Sequence, residues 1–266
     1  MTRVAVVGHV EWVEFVLVDR FPRRGAVEQA RDAFIHAAGG AVVAAATLAE
    51  LGAEVDFFCA LGADRTGDDA HAELTRRGVT VHAARRRAPT RRAVTLLDGG
   101  GERTIVTVGE RLQPSGDDPL DWDRLAGADG VYLTAGDEGA AHRAREARIL
   151  VATPRLIESL DAPELTLDAV VYSENDTDEV AWADRFAPRT RLMVATEGSR
   201  GGRWWGESEG TWDAVPVPGD PHDSYGCGDS FAAGFTFGLA DGMSVGDAAV
   251  VGARCGAEML TRVGAP

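Results

Sequence analysis

Between residues 130 and 197 the chain repeats one pattern: a short apolar run, a polar turn, then a segment with helical spacing. The runs are Gly130–Thr134, Arg148–Thr153, Leu167–Ser173 and Leu192–Glu197, with helices expected to begin near Glu138, Pro154 and Asp176. Runs this apolar suit strands buried on both faces, and strand–helix alternation makes successive strands parallel. The pattern predicts a doubly wound, mostly parallel α/β sheet with helices on both faces. Upstream, Arg3–Gly8, Glu54–Ala60 and Val79–Ala84 read as further strands. An Ala-rich helix from Gly40 stopped by Gly52, and a second over Gly67–Arg77, fall between them. A length of 266 residues suits one large domain.

Two stretches do not fit that core. Val10–Arg20 alternates apolar and polar residues as a half-exposed strand does, Pro22 and Gly25 break it, and Ala26–His36 reads as a second extended piece. Arg91–Asp98 and Arg103–Val108 flank Gly99-Gly100-Gly101 as a hairpin. Together they predict a small β-sheet lid, inserted at about 10–36 and 91–108 of a single domain spanning 1–266. Gly201–Gly206 and Thr211–Val217 read as a late hairpin, followed by helices from Cys227 and Ser244.

Composition removes several function classes. All 27 basic residues are arginine, so a Walker A loop, a protein-kinase strand lysine and a Schiff-base amine are excluded. The net charge of −15 argues against a nucleic-acid or anionic-membrane surface. Three scattered cysteines form neither a disulfide framework nor a zinc spacing. Neither a signal peptide nor a membrane span is read, and the expected location is cytoplasmic. Val6-Val7-Gly8-His9-Val10 lacks the glycine spacing of a dinucleotide turn.

The chemistry concentrates in Asp223-Ser224-Tyr225-Gly226-Cys227-Gly228-Asp229-Ser230-Phe231, which opens a helix after a Pro- and Gly-broken segment. Glycines at a helix start leave bare N–H groups aimed at one point, with the helix dipole behind them. Gly226, Cys227 and Gly228 are thus a candidate anion hole. A carboxylate beside an anion site must have a task, and taking a proton from an incoming hydroxyl is the one that fits Asp229. The same dipole predicts that the Cys227 thiol is more reactive than Cys59 or Cys255.

This nine-residue string resembles the C-terminal signature of the ribokinase-like (PfkB) carbohydrate kinases, D-T-x-G-A-G-D-x-F. Other segments are similar in the same order. Gly39-Gly40 precedes the Ala-rich helix, Gly100-Gly101-Glu102-Arg103-Thr104 resembles the lid hairpin, and Asn175-Asp176-Thr177-Asp178 resembles N-x-x-E with Asp for Glu. Ala195-Thr196-Glu197-Gly198 is similar to the nucleotide loop.

The resemblance implies an ATP-dependent phosphotransferase acting on a hydroxyl of a sugar or sugar-like alcohol, with Asp229 as base. It places Asn175, Thr196, Glu197 and Gly198 at the nucleotide, and Asp178 at Mg²⁺ through water. Glu11, Val13, Gly39, Gly40, Val43 and Arg103 fall on the acceptor side. It also admits a monovalent cation and a homodimer through the lid. Two departures stand out: Val13 where the family carries a sugar-binding Asp, and Val43 where it commonly carries Asn. Both remove hydrogen-bond partners from the acceptor pocket: either the acceptor carries apolar surface there, or Glu11 or Glu14 swings in as substitute, Glu11 being the one that shares a strand face with Val13. A kinase-derived binding protein that senses a nucleotide or metabolite is the alternative.

Overall fold

The structure, a computed structural model, describes residues 1–101, 103–156 and 164–265. Seven parallel strands make the centre of the main sheet. They are β1 (Arg3–Val7), β4 (Glu54–Gly62), β5 (Val79–Arg86), β8 (Gly130–Leu133), β9 (Leu150–Ala152), β10 (Leu167–Ser173) and β11 (Thr190–Thr196). The antiparallel pair β12 (Gly202–Gly206) and β13 (Gly210–Trp212) completes nine strands, in the order β13-β12-β11-β10-β9-β8-β1-β4-β5.

Strand alternation divides the core between two faces. Val4 and Val6 of β1 pack with α1 (Gly40–Glu50), α5 (Cys227–Ala240) and α6 (Val245–Met259). Ala5 and Val7 face the opposite way, onto α3 (Glu138–Ala144) and α4 (Thr177–Phe186). This is the period-two signature of strands covered on both sides. Helix α2 (Arg65–Arg76) joins β4 to β5, with the Asp64 side chain accepting from the Gly67 N–H at its start.

The lid is a separate four-stranded sheet in the order β3-β2-β6-β7, built from β2 (Glu11–Leu17), β3 (Asp32–Ala38), β6 (Arg92–Leu97) and β7 (Arg103–Val108). Its inner face, with Val13, Phe15, Ala93 and Leu97, packs on Val43, Tyr225 and Met259 of the core.

Some boundaries differ from the sequence reading. The second lid strand starts at Asp32, because residues 26–31 form no regular element. The late hairpin ends at Trp212, before Pro216 and Pro218, which cannot donate to a ladder. The helix expected from Pro154 is a 3-10 turn over Pro154–Leu156, and its continuation lies outside the described residues, as does Glu102 of the lid motif. Among the described residues no helix is long and apolar enough to cross a membrane.

Candidate active site

Two helix N-termini meet at Asp229. The first belongs to α5, whose N-cap Gly226 has φ 73°, a left-handed conformation that glycine adopts without cost. Any side chain at 226 would also strike Val43, because a Cβ built there lies 2.8 Å from Val43 Cγ1. Gly228 is different: a Cβ there meets nothing within 4 Å, so its smallness keeps the mouth of the helix open. The second N-terminus is that of α1. Gly39 has φ 98°, and a Cβ on Gly40 would lie 2.4 Å from Asp229 Oδ1. The G-G pair therefore exists so that the Asp229 carboxylate can lie against the start of α1.

Burial pushes the Asp229 carboxyl up to about 6, against the pull of Arg155 and a hydrogen bond from Tyr132; Glu179 raises it further and Arg103 opposes. The Tyr132 hydroxyl, at the end of β8, donates to Asp229 Oδ1 at 3.2 Å. Arg155 follows β9, and its guanidinium is gripped by Glu179 and by Asp176 at 3.1 Å. Glu179 also accepts from the Ser173 N–H at 2.8 Å. Asp176 caps α4, accepting from the Asp178 and Glu179 N–H groups.

The expected nucleotide residues gather at the ends of β10 and β11. Ser173 and Thr196 are paired in register, and the Thr196 hydroxyl donates to the Tyr172 carbonyl at 3.2 Å. Gly198, with φ 61°, sits against Asn175: a Cβ there would be 3.6 Å from the Asn175 Nδ2. Glu197 is engaged by Arg200 at 3.3 Å and Arg203 at 3.9 Å. Asp178 is exposed, whereas the neighbouring Glu179 is 7% exposed and is the carboxylate turned toward Arg155.

The residues expected on the acceptor side lie on and beside the lid strands. Glu11 lies 3.2 Å from Arg91 Nε and 3.7 Å from His9 Nε2, and burial raises its carboxyl while Arg91 and Arg111 lower it. Arg111 reaches His9 Nδ1 at 2.9 Å. Burial, reinforced by Arg111 and Arg91, holds His9 well below the usual histidine range, so it is neutral at pH 7. The Tyr225 hydroxyl accepts from the Gly39 N–H at 3.0 Å, tying the motif loop to the G-G turn. Arg103 of β7 donates to Ser224 at 2.5 Å, so the lid strand touches the motif loop directly.

Three details correct the sequence reading. Val13 and Val43 belong to one apolar cluster with Tyr225 and Phe15, packed beneath the G-G turn. Glu14 is exposed on the outer face of β2, which leaves Glu11 as the inward carboxylate. Cys227 packs against the lid cluster, and burial, with Asp223 adding to it, pushes its thiol up to about 12, so the dipole does not activate it. Tyr132, Arg155, Glu179, His9, Arg91 and Arg111 carried no motif. Only the polar tip of Tyr132 at the end of an otherwise apolar run and the carboxylate beside Asp178 gave any sequence signal.

An open-sheet α/β fold in which two helix N-termini meet at a carboxyl raised to about 6, with a β-lid beside it, has the geometry of a phosphotransferase of small hydroxyl compounds. The pattern of the pfkB family carbohydrate kinases matches residues 1–266, and the chain belongs to that family. It is 30% identical, over 100% of its length and 94% of the relative's, to an ATP-dependent ribose-1-phosphate kinase of Halopiger xanaduensis. The fold is similar to adenosine kinase of Sinorhizobium meliloti, with TM-score 0.80 and 19% identity over 99% of this chain and 95% of that one. It is similar also to Arabidopsis thaliana ribokinase complexed with ribose and ATP, with TM-score 0.76 and 19% identity over 100% and 95%.

Proposed function

We propose that this carbohydrate kinase moves the γ-phosphoryl group of ATP to a hydroxyl of a sugar that carries an anionic group, a sugar phosphate of the ribose 1-phosphate type. The transfer itself rests on one observation: a carboxylate raised to about 6 lies where the N-termini of α5 and α1 converge. Asp229 accepts the proton of the acceptor hydroxyl as the oxygen attacks phosphorus. The N–H groups of Gly226 and Gly228 face the developing negative charge, the Cys227 N–H being turned instead to the Ser224 carbonyl at 3.4 Å, and Arg155 supplies the fixed cation that a lysine-free chain needs. Asn175, Thr196 and Gly198 form the nucleotide side, with Glu197 in the same loop. The binding-only alternative has no feature to favour it, since base and anion hole are both intact.

Among the described residues, the one trio able to gather on a metal is Glu138, His142 and Glu164, all exposed and on or beside α3. Near Asp229 the carboxylates of Glu179 and Asp176 are held by Arg155. That donor set fits Mg²⁺ held mainly by phosphates and water, with Asp178 reaching it through water. Bound there, Mg²⁺ would neutralise charge on the phosphate oxygens.

The anionic acceptor follows from Arg91 and Arg111 around His9 and Glu11, with Arg103 across the mouth. In a chain of net charge −15, Arg91 and Arg111 gathered at His9 and Glu11 fit an acceptor that brings its own charge, while Arg103 stands at the other end of β7, in register with Leu97. The activity named for the Halopiger relative supports the same class. The outer lid face, where Ile35, Val106 and Val108 are exposed, suits pairing with a second copy of this chain. The test is transfer from ATP with Mg²⁺ to ribose, ribose 1-phosphate, adenosine and inositol. Preference for the phosphorylated sugar is expected. Preference for a neutral acceptor overturns the acceptor class, and transfer to none of them overturns the kinase reading.

A further inference from the structure

The Tyr132 hydroxyl has no place in the sequence motifs, yet among the described residues it makes the one side-chain hydrogen bond to Asp229, at 3.2 Å. Tyr132 is 2% exposed, on a strand whose other residues are wholly apolar. A buried phenol needs a partner, and this one is 97 residues away in sequence, on the first turn of α5. We propose that Tyr132 is the positioning residue of the catalytic base, a role that rests on the reading of Asp229 given above.

Its hydrogen bond does two things. It occupies Oδ1 and so leaves Oδ2, which like Oδ1 lies beside Gly40, to receive the acceptor proton. It also favours the ionised carboxylate, opposing the burial that favours the protonated one. The groups facing Asp229 come from five segments. Tyr132 belongs to β8, Arg155 follows β9, Glu179 is on α4, Arg103 is on β7, and Tyr225 and Cys227 belong to the motif segment. Arg155 and Arg103 favour the ionised form as Tyr132 does, and Glu179 opposes it. Arg155 is itself held by Glu179 and Asp176, so its field is partly spent. The neutral phenol of Tyr132 is the donor that touches the base directly.

The experiment is the pH profile of kcat/KM for wild type and Tyr132→Phe, which keeps the ring and removes only the hydroxyl. Losing a hydrogen bond to a charged group should move the acidic limb upward by about one pH unit or more. Near pH 6 the variant should then lose about tenfold, recovering much of this at pH 9, with KM for ATP unchanged. A purely structural role predicts an equal loss at every pH, and that result would overturn the proposal. A double-mutant cycle sharpens it: in the Asp229→Asn background, Tyr132→Phe should cost nothing further. If the Phe variant unfolds, 3-fluorotyrosine placed at 132 alone strengthens the donor and should move the acidic limb downward. A limb unmoved by it overturns the assignment. Full activity in Asp229→Asn alone would instead mean that the base itself is misassigned.

Discussion

The two walls of the cleft are built by different means. The wall proposed for the phosphates is backbone: two helix N-termini, glycines whose missing side chains make room, and one carboxylate laid across them. The wall proposed for the acceptor is side chains at and beside the lid: Glu11 lies 3.2 Å from Arg91 and 3.7 Å from His9, Arg111 meets His9 at 2.9 Å, and Arg103 bonds Ser224 of the motif loop. Backbone sites tolerate few substitutions and announce themselves as glycine-rich strings. Side-chain sites can be rewired, and here Val13 and Val43 have left the polar network and joined the core.

Replacing Asp229 by Asn tests the phosphate wall most severely. Turnover should fall by about two to four orders of magnitude. The same variant should be more stable than wild type at pH 8. The folded carboxyl lies above its unfolded value, so the folded state holds the proton more tightly than the unfolded chain does. Its contribution is thus fully present at low pH and lost as pH rises through about 6. Removing the charge removes that loss, and thermal unfolding at pH 5 and pH 8 measures it. A variant destabilised equally at both would break the account.

Val13→Asp comes next, on the acceptor wall. Val13 is 1% exposed, so the substitution buries a charge and should destabilise the fold by about 3 kcal/mol or more, without creating ribose activity. A stable variant that phosphorylates ribose would show that Val13 lines the open pocket after all. Gly226→Ala combines a left-handed backbone with the Val43 contact and should cost about 1–3 kcal/mol, whereas Gly228→Ala, with open space around it, should be tolerated much better. Equal effects at the two glycines would dissolve the distinction between a tight cap and an open mouth. The smallest effect belongs to Cys227. With the thiols of Cys59, Cys227 and Cys255 each pushed up to about 12, alkylation should be slow at all three. Peptide mapping that finds Cys227 labelled first would restore the activated thiol.

The sequence made the phosphate wall legible because its requirements are local. Gly226, Gly228 and Asp229 lie within one turn, and Gly39-Gly40 opens the next helix that meets them. The parallel sheet was legible for a related reason, since β8 to β11 are mostly apolar runs, with Asp168 and Arg191 near the starts of β10 and β11. Tyr132 was not, because nothing near residue 132 tells a strand tyrosine that its hydroxyl will meet a carboxylate from α5. Arg91 and Arg111 likewise matched no motif, because nothing near them in sequence tells that they will meet at Glu11 and His9. Glu179 was hidden by Asp178, its exposed neighbour, which occupied the motif position.

The order of strands bears on how such a chain comes off the ribosome. β1 is made first but lies in the interior of the sheet, between β4 and β8. It has one neighbour once β4 is made, and waits until residues 130–133 emerge for the second. The layer over Val4 and Val6 is finished only when α5 and α6, the last two helices, have folded. Until then an apolar sheet face stays open, and long-range pairings of this kind fold slowly and invite aggregation. The same final segment carries Asp229, so a nascent or C-terminally truncated chain is at once unprotected and inert. Competence for catalysis and escape from chaperones are therefore reached at the same moment.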